Sequence, residues 1–270
     1  MGCAGGKGFA MMDGTLFVYV ENPARPDIDG VSVFLPATKE SAREALDKLQ
    51  VKDPNAVNIT EVYANSDDDC MNKLGYWLNH HIEQMDGTHS LDELNYLAVK
   101  IDGMVGDELD TFGAAIQSAQ DISSVADILN LAENLDHFIW QPAFDAGMYG
   151  EFLISVAQDT TQVSFRALRY SEQHSDRALA SYIEHLEQSV DHAAYARLVA
   201  NVENGAFTDF GYIQRALDEM PSKYRGVEDI PHQHRLQKPS LMEMLKAGLE
   251  KSKAQLDASS APKKSVDLEV

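Results

Sequence analysis

The chain has 270 residues, 44% of them hydrophobic, and a formal net charge of −21 from 43 Asp+Glu against 22 Lys+Arg. That length allows two or three compact domains, and the ordinary apolar share excludes a disordered acidic tail. No run of about 18 apolar residues exists, so no membrane span is expected. The first residues lack the charged-then-apolar layout of a signal peptide. The two cysteines, Cys3 and Cys70, do not read as a disulfide framework, and a reduced cytoplasm is the default expectation.

Residues 1–14 are Gly-rich and read as a disordered leader. Gly5-Gly6-Lys7 lacks the spacing, the preceding strand and the Ser or Thr of a phosphate loop. Leu16–Val20 and Val31–Leu35 are short β-rich runs joined by a long Pro/Asp/Gly loop. Thr38 caps a helix with Ala42, Ala45, Leu46 and Leu49 on one face. Val57–Ala64 reads as a third strand. Asp67-Asp68-Asp69 suits a helix N-terminus, and Met71, Leu74, Leu78 and Ile82 form the stripe that follows. Residues 15–88 are therefore expected to make an antiparallel-sheet domain with helices.

The pattern then turns helical. Ser90-Leu91-Asp92-Glu93 is a capping box, with Leu94, Leu97, Ala98 and Ile101 behind it. Leu109, Phe112, Ala115 and Ile116 form the next stripe. Ser124 starts a helix with Ile128, Leu131 and Leu135 inward, and another helix surrounds Tyr149–Ala157 after Pro142. Residues 89–158 thus read as a helical domain. From 159 to 236 the expected elements are mixed: a strand at Gln162–Leu168, helices at Ser175–Gln188 and Asp191–Ala200 with Gly205 as the closing glycine, a strand or turn at Phe207–Ile213, and a short helix at Ile213–Met220. Residues 237–270 read as one amphipathic helix and a disordered end.

Charge is unevenly placed along these elements. No Lys or Arg occurs between Lys100 and Arg166, a stretch holding Asp102, Asp107, Glu108, Asp110, Asp121, Asp127, Glu133, Asp136, Asp145, Glu151 and Asp159. A surface built only for solubility mixes both signs, since Glu and Lys four apart support a helix. Residues 237–270 carry six Lys against five acids, which leaves −22 on residues 1–236. Double-stranded DNA carries one charge per roughly 1.7 Å of axis, so 21 charges match about ten base pairs. Helical patterning turns the apolar stripes inward and places the eleven carboxylates outside.

Catalytic patterns are scarce. His232-x-His234 has no third ligand at suitable spacing, His80 and His81 are neighbours on a helix and point apart, and no serine sits in a nucleophile elbow. No cofactor or metal is expected. Trp77 and Trp140 read as core residues.

Several segments resemble one known family. Ser90-Leu91-Asp92-Glu93-Leu94-Asn95-Tyr96-Leu97-Ala98 is similar to the "xxELNxLA" segment of ArdA-like antirestriction proteins of bacterial mobile elements. Ser124 to Asp136, SVADILNLAENLD, resembles their "SVxDLINLxxNLD". Tyr149 to Ile154 resembles "YGxYLI", and Tyr195-Ala196-Arg197 through Asn204 to Ile213 resembles "YGRxxA…NGxFTxxGYI". The similarity runs in the family's order over about residues 30–213. It implies an elongated, acidic, usually dimeric α+β protein that imitates DNA, acts without catalysis, and occupies the DNA-binding site of a type I restriction-modification enzyme. It implies no direct binding of nucleic acid. The alternative is an acidic adaptor or accessory protein of a mobile element whose charge serves solubility.

Overall fold

The computed structural model describes residues 14–87, 89–156, 191–216 and 219–236. The fold is α+β, as expected. Leu16–Glu21 (β1), Val31–Leu35 (β2) and Asn58–Ala64 (β3) form an antiparallel sheet in the order β2-β1-β3. Leu16 stands opposite Leu35 on one side and Ala64 on the other, and a bulge between Tyr19 and Val20 shifts the β1–β3 register. Side chains alternate across a strand, so Leu16, Val18, Val20, Val33, Leu35, Ile59 and Val62 are buried together. Against that face pack Lys39–Lys48 (α1) and Asp69–Ile82 (α2).

Helix starts follow local chemistry. Thr38 Oγ1 accepts from the Ser41 amide at 3.2 Å, and Asp68 Oδ1 accepts from the amides of Cys70 and Met71 at 2.9 and 3.2 Å. Three helices follow: Leu91–Asp102 (α3), Glu108–Ser118 (α4) and Val125–Glu133 (α5). Every residue of α4 from Asp110 to Ile116 is buried, the mark of a helix enclosed on all sides. A helix covers 146–156 (α6), where that described stretch ends, and His192–Glu203 forms α7.

A second antiparallel sheet has the order β4-β6-β5, from Phe138–Gln141 (β4), Ala206–Thr208 (β5) and Gly211–Arg215 (β6). It departs from the sequence reading twice. Phe138–Gln141 is a strand where none was expected. The helix expected at Ile213–Met220 is instead strand β6, because Tyr212, Ile213, Gln214 and Arg215 pair with the whole of β4. The helix-closing residue also differs. Asn204, at φ +52°, takes the left-handed position and Gly205 follows it, since Asn tolerates that conformation. Gly205 is still required, because a Cβ there would overlap the Tyr212 ring.

Buried side chains from Leu16 to Leu236 form one contiguous cluster that includes both sheets' neighbours and α3, α4 and α5. A second cluster joins Ala143, Ala146, Tyr149, Ala196, Ala200 and Tyr212. Leu131 and Tyr149 are buried as expected. Trp77 and Trp140 are half-buried against the core, and Trp140 Nε1 donates to the Phe210 carbonyl at 2.9 Å. Cys70 is buried and is not a free thiol, which departs from the expectation of reduced cysteines. Among the described residues no helix is long and apolar enough to cross a membrane. The elements expected at 162–168 and 175–188, the leader and residues 237–270 lie outside the described residues.

Candidate functional site

Ten of the eleven carboxylates lie among the described residues, and Asp159 lies outside them. Six are both exposed and without an ion pair among the described residues, on successive elements. Asp102 ends α3, and its Oδ1 accepts from Thr15 Oγ1 at 3.3 Å. Asp107 and Glu108 open α4, where the helix dipole favours negative charge, and Glu108 Oε2 accepts from the Val105 amide at 2.9 Å. Asp121 lies between α4 and α5. Asp145 caps α6 by accepting from the Met148 amide at 2.9 Å. Glu151 stands on α6 itself. None of these six forms an ion pair among the described residues.

The other four depart from the exposed, unopposed array. Asp110 is only 3% exposed, with its carboxyl 3.6 Å from Cys70 Sγ. Its stripe on α4 also carries Gly113, Ala114 and Gln117, and α4 packs against α2, so the position turns inward. Glu133 meets Lys100 at 2.6 Å, and Asp136 meets Lys223 at 3.3 Å. The gap in basic residues along the chain is therefore partly filled in space by cations from 33 and 87 positions away, counted from these residue numbers. The Lys223 hydrogen bond holds the Asp136 carboxyl below the usual range. Burial works to lower the Lys100 ammonium, but the Glu133 hydrogen bond prevails and raises it. Asp127 is half-buried. Burial works to raise its carboxyl, yet hydrogen bonds from Ser123 and Ser124 hold it below its ordinary value.

The segment 219–236 crosses α3 and α5 and is pinned by residues of α3 and α5 and by Asn134 just beyond α5. Asn95 donates to the His234 carbonyl at 2.9 Å and accepts from the Ala37 amide at 2.6 Å. Asn130 takes both backbone groups of Tyr224, at 2.8 and 2.9 Å. Asn134 donates to the Pro221 carbonyl at 2.9 Å. Asp92 Oδ1 accepts from the Leu236 amide at 2.5 Å, and Glu93 accepts from the Tyr224 hydroxyl at 2.9 Å. Burial pushes the Asp92 and Glu93 carboxyls and the Tyr224 phenol up. The capping box is consequently half made. Ser90 Oγ accepts from the Glu93 amide at 3.1 Å, while the Glu93 side chain serves Tyr224 instead.

An open cleft of about 520 Å³ lies among α4, α7 and the β5–β6 hairpin, with Ser118, Gln120, Asn201, Asn204 and Arg215 as its polar lining. Among the described residues that line it there is no carboxylate, histidine or cysteine. Among the described residues no group of three His, Cys, Asp or Glu side chains is placed to hold a metal. His80 and His81 meet different surroundings, His81 Nε2 lying 3.0 Å from the Ile116 carbonyl while His80 stays exposed beside Tyr76. Their rings do not point fully apart, since the centroids lie 5.6 Å from each other, edge-on. Compared with family models, curated proteins and solved structures, the chain matches none.

Proposed function

We propose that the chain is an ArdA-like antirestriction protein that imitates DNA and occupies the DNA-binding site of a host restriction-modification enzyme of type I. It acts in the cytoplasm, without catalysis, as a monomer or homodimer. The observation that carries the reading is the set Asp102, Asp107, Glu108, Asp121, Asp145 and Glu151. These are exposed carboxylates without ion-pair partners among the described residues, held on or beside α3, α4 and α6. Charges fixed on folded elements have already lost the conformational freedom that a disordered acidic tail gives up on binding. A groove built for DNA is basic and carries condensed anions, and a fixed acidic surface releases them as DNA does.

The test is a cleavage assay with a purified type I enzyme. Inhibition should be relieved by added nonspecific DNA and should weaken steeply between low and moderate salt. Inhibition indifferent to both counts against the reading. A second reading, an acidic adaptor of a mobile element, is favoured by one surface. Tyr195, Leu198 and Val202 are 41%, 62% and 76% exposed along one side of α7. Binding through that stripe would persist as salt rises.

A further inference from the structure

The outer face of the first sheet is aromatic. Register sets Phe34 and Tyr63 on either side of Phe17, and alternation turns all three away from the buried row of Leu16, Val18 and Leu35. The Phe17 ring centroid lies 5.2 Å from that of Phe34, edge-on, and 6.4 Å from that of Tyr63. Tyr63 is 48% exposed. The next row across the sheet is Ser32, Tyr19 and Glu61. Glu61 shares the exposed side of β3 with Tyr63. Asn79 ties Glu83 to the same strand, accepting from the Val62 amide at 2.8 Å and donating to Glu83 Oε1 at 2.6 Å. The charge of Glu61 first raises the Tyr63 phenol.

We propose that this sheet face docks a basic protein partner by seating arginine side chains on the Phe34–Phe17–Tyr63 row, with Glu61 and Glu83 closing on the guanidinium. A cation over a ring face gains from the ring quadrupole. Arginine suits the site better than lysine because its planar, weakly hydrated group stacks and pairs with carboxylates at once. The same molecule already holds one cation this way. Lys100 Nζ lies 5.2 Å from the Tyr96 ring centroid, and Glu133 meets that ammonium at 2.6 Å. Charge selects among occupants. A second copy brings another −21, and a nucleic acid brings phosphates against Glu61 and Glu83. The inference stands on this sheet face and the net charge alone, independent of any competition with DNA.

The experiment measures binding of the full chain to fluorescent nona-arginine and nona-lysine peptides at one fixed salt concentration. Wild type should prefer the arginine peptide by about two- to fivefold. Tyr63→Ser should remove the preference, Tyr63→Trp should keep it, and Asp121→Asn should weaken both peptides equally. Glu61→Gln should weaken the arginine peptide more than Asp121→Asn does. Equal wild-type affinity for the two peptides, a preference unchanged in Tyr63→Ser, or equally tight binding of single-stranded DNA overturns the proposal.

Discussion

Asn95, Asn130 and Asn134 spend their amides on backbone groups of a distant segment rather than on solvent. They were visible in the sequence as motif letters, but their task was not, because Asn130 and its partner Tyr224 stand 94 residues apart. Leaving the Tyr224 backbone groups unpaired costs about 1–3 kcal/mol. Asn130→Ala should therefore lower the urea midpoint and open 219–236 to protease. An unchanged midpoint would show that this segment is held by Tyr224, Ile230 and Leu236 packing alone. Two histidines make a further residue-scale prediction. Burial lowers His81 and His89, and His89 Nε2 has no hydrogen-bond partner among the described residues while Nδ1 accepts from the Ile59 amide. A lowered folded value means the unfolded chain binds more protons. Their contribution is complete above the unfolded value of about 6.5 and is lost as pH falls below it. Asp92 and Glu93 act in the opposite sense, since raised carboxyls stabilise at low pH and lose that contribution as pH rises through their folded values. Comparing unfolding free energies of wild type and His89→Asn at pH 7.5 and 5.5 cancels the carboxylates. Wild type should lose more stability on acidification than the variant, and identical losses would exclude His89 as a source.

At the scale of elements, the sequence was legible wherever the signal was local. Thr38, Asp68, Ser90, Ser124 and Asp191 each cap the helix that begins beside them. The first three strands follow from β-rich runs and turn residues, and α1 from a one-sided apolar face. Strand β4 was missed, and β6 was read only in part, as a strand or turn ending at Ile213 with a helix beyond it, because neither has a strong pattern of its own. Their pairing, Phe138 with Arg215 through Gln141 with Tyr212, is settled by contacts between segments far apart in the chain, and tertiary context overrides weak propensity. Glycine marks one such contact directly. A Cβ at Gly150 would overlap the backbone carbonyl of His192, where α6 meets the start of α7. Gly150→Ala should cost about 1–3 kcal/mol through overpacking, read as a lower melting midpoint with helix content retained. A neutral or stabilising result would mean that α6 and α7 shift apart freely. Gly113, against the Phe210 ring, is a second site for the same comparison.

Across the whole molecule, the net charge of −21 is a property of composition, but its placement is a property of the fold. The sequence located the basic-free stretch and could not show which carboxylates stay open. Asp110 turned inward because α4 is enclosed on all sides, and Glu133 and Asp136 met Lys100 and Lys223 from elements beyond the stretch. Among the described residues six exposed positions without an ion pair remain. A single exposed ion pair contributes about 0–1 kcal/mol, so Asp121→Asn alone should change inhibition little. The most direct measurement is inhibition of a type I restriction enzyme, over a range of salt, by a variant with Asp102, Asp107, Asp121 and Asp145 changed to Asn and Glu108 and Glu151 to Gln. Beside it runs an Asp127→Asn, Glu133→Gln control. The account predicts that the sixfold variant, folded by circular dichroism, inhibits far more weakly and with a flatter salt dependence, while the control keeps most of the wild-type slope. Full inhibition by the sixfold variant, or a wild-type inhibition with no salt dependence to lose, would contradict it.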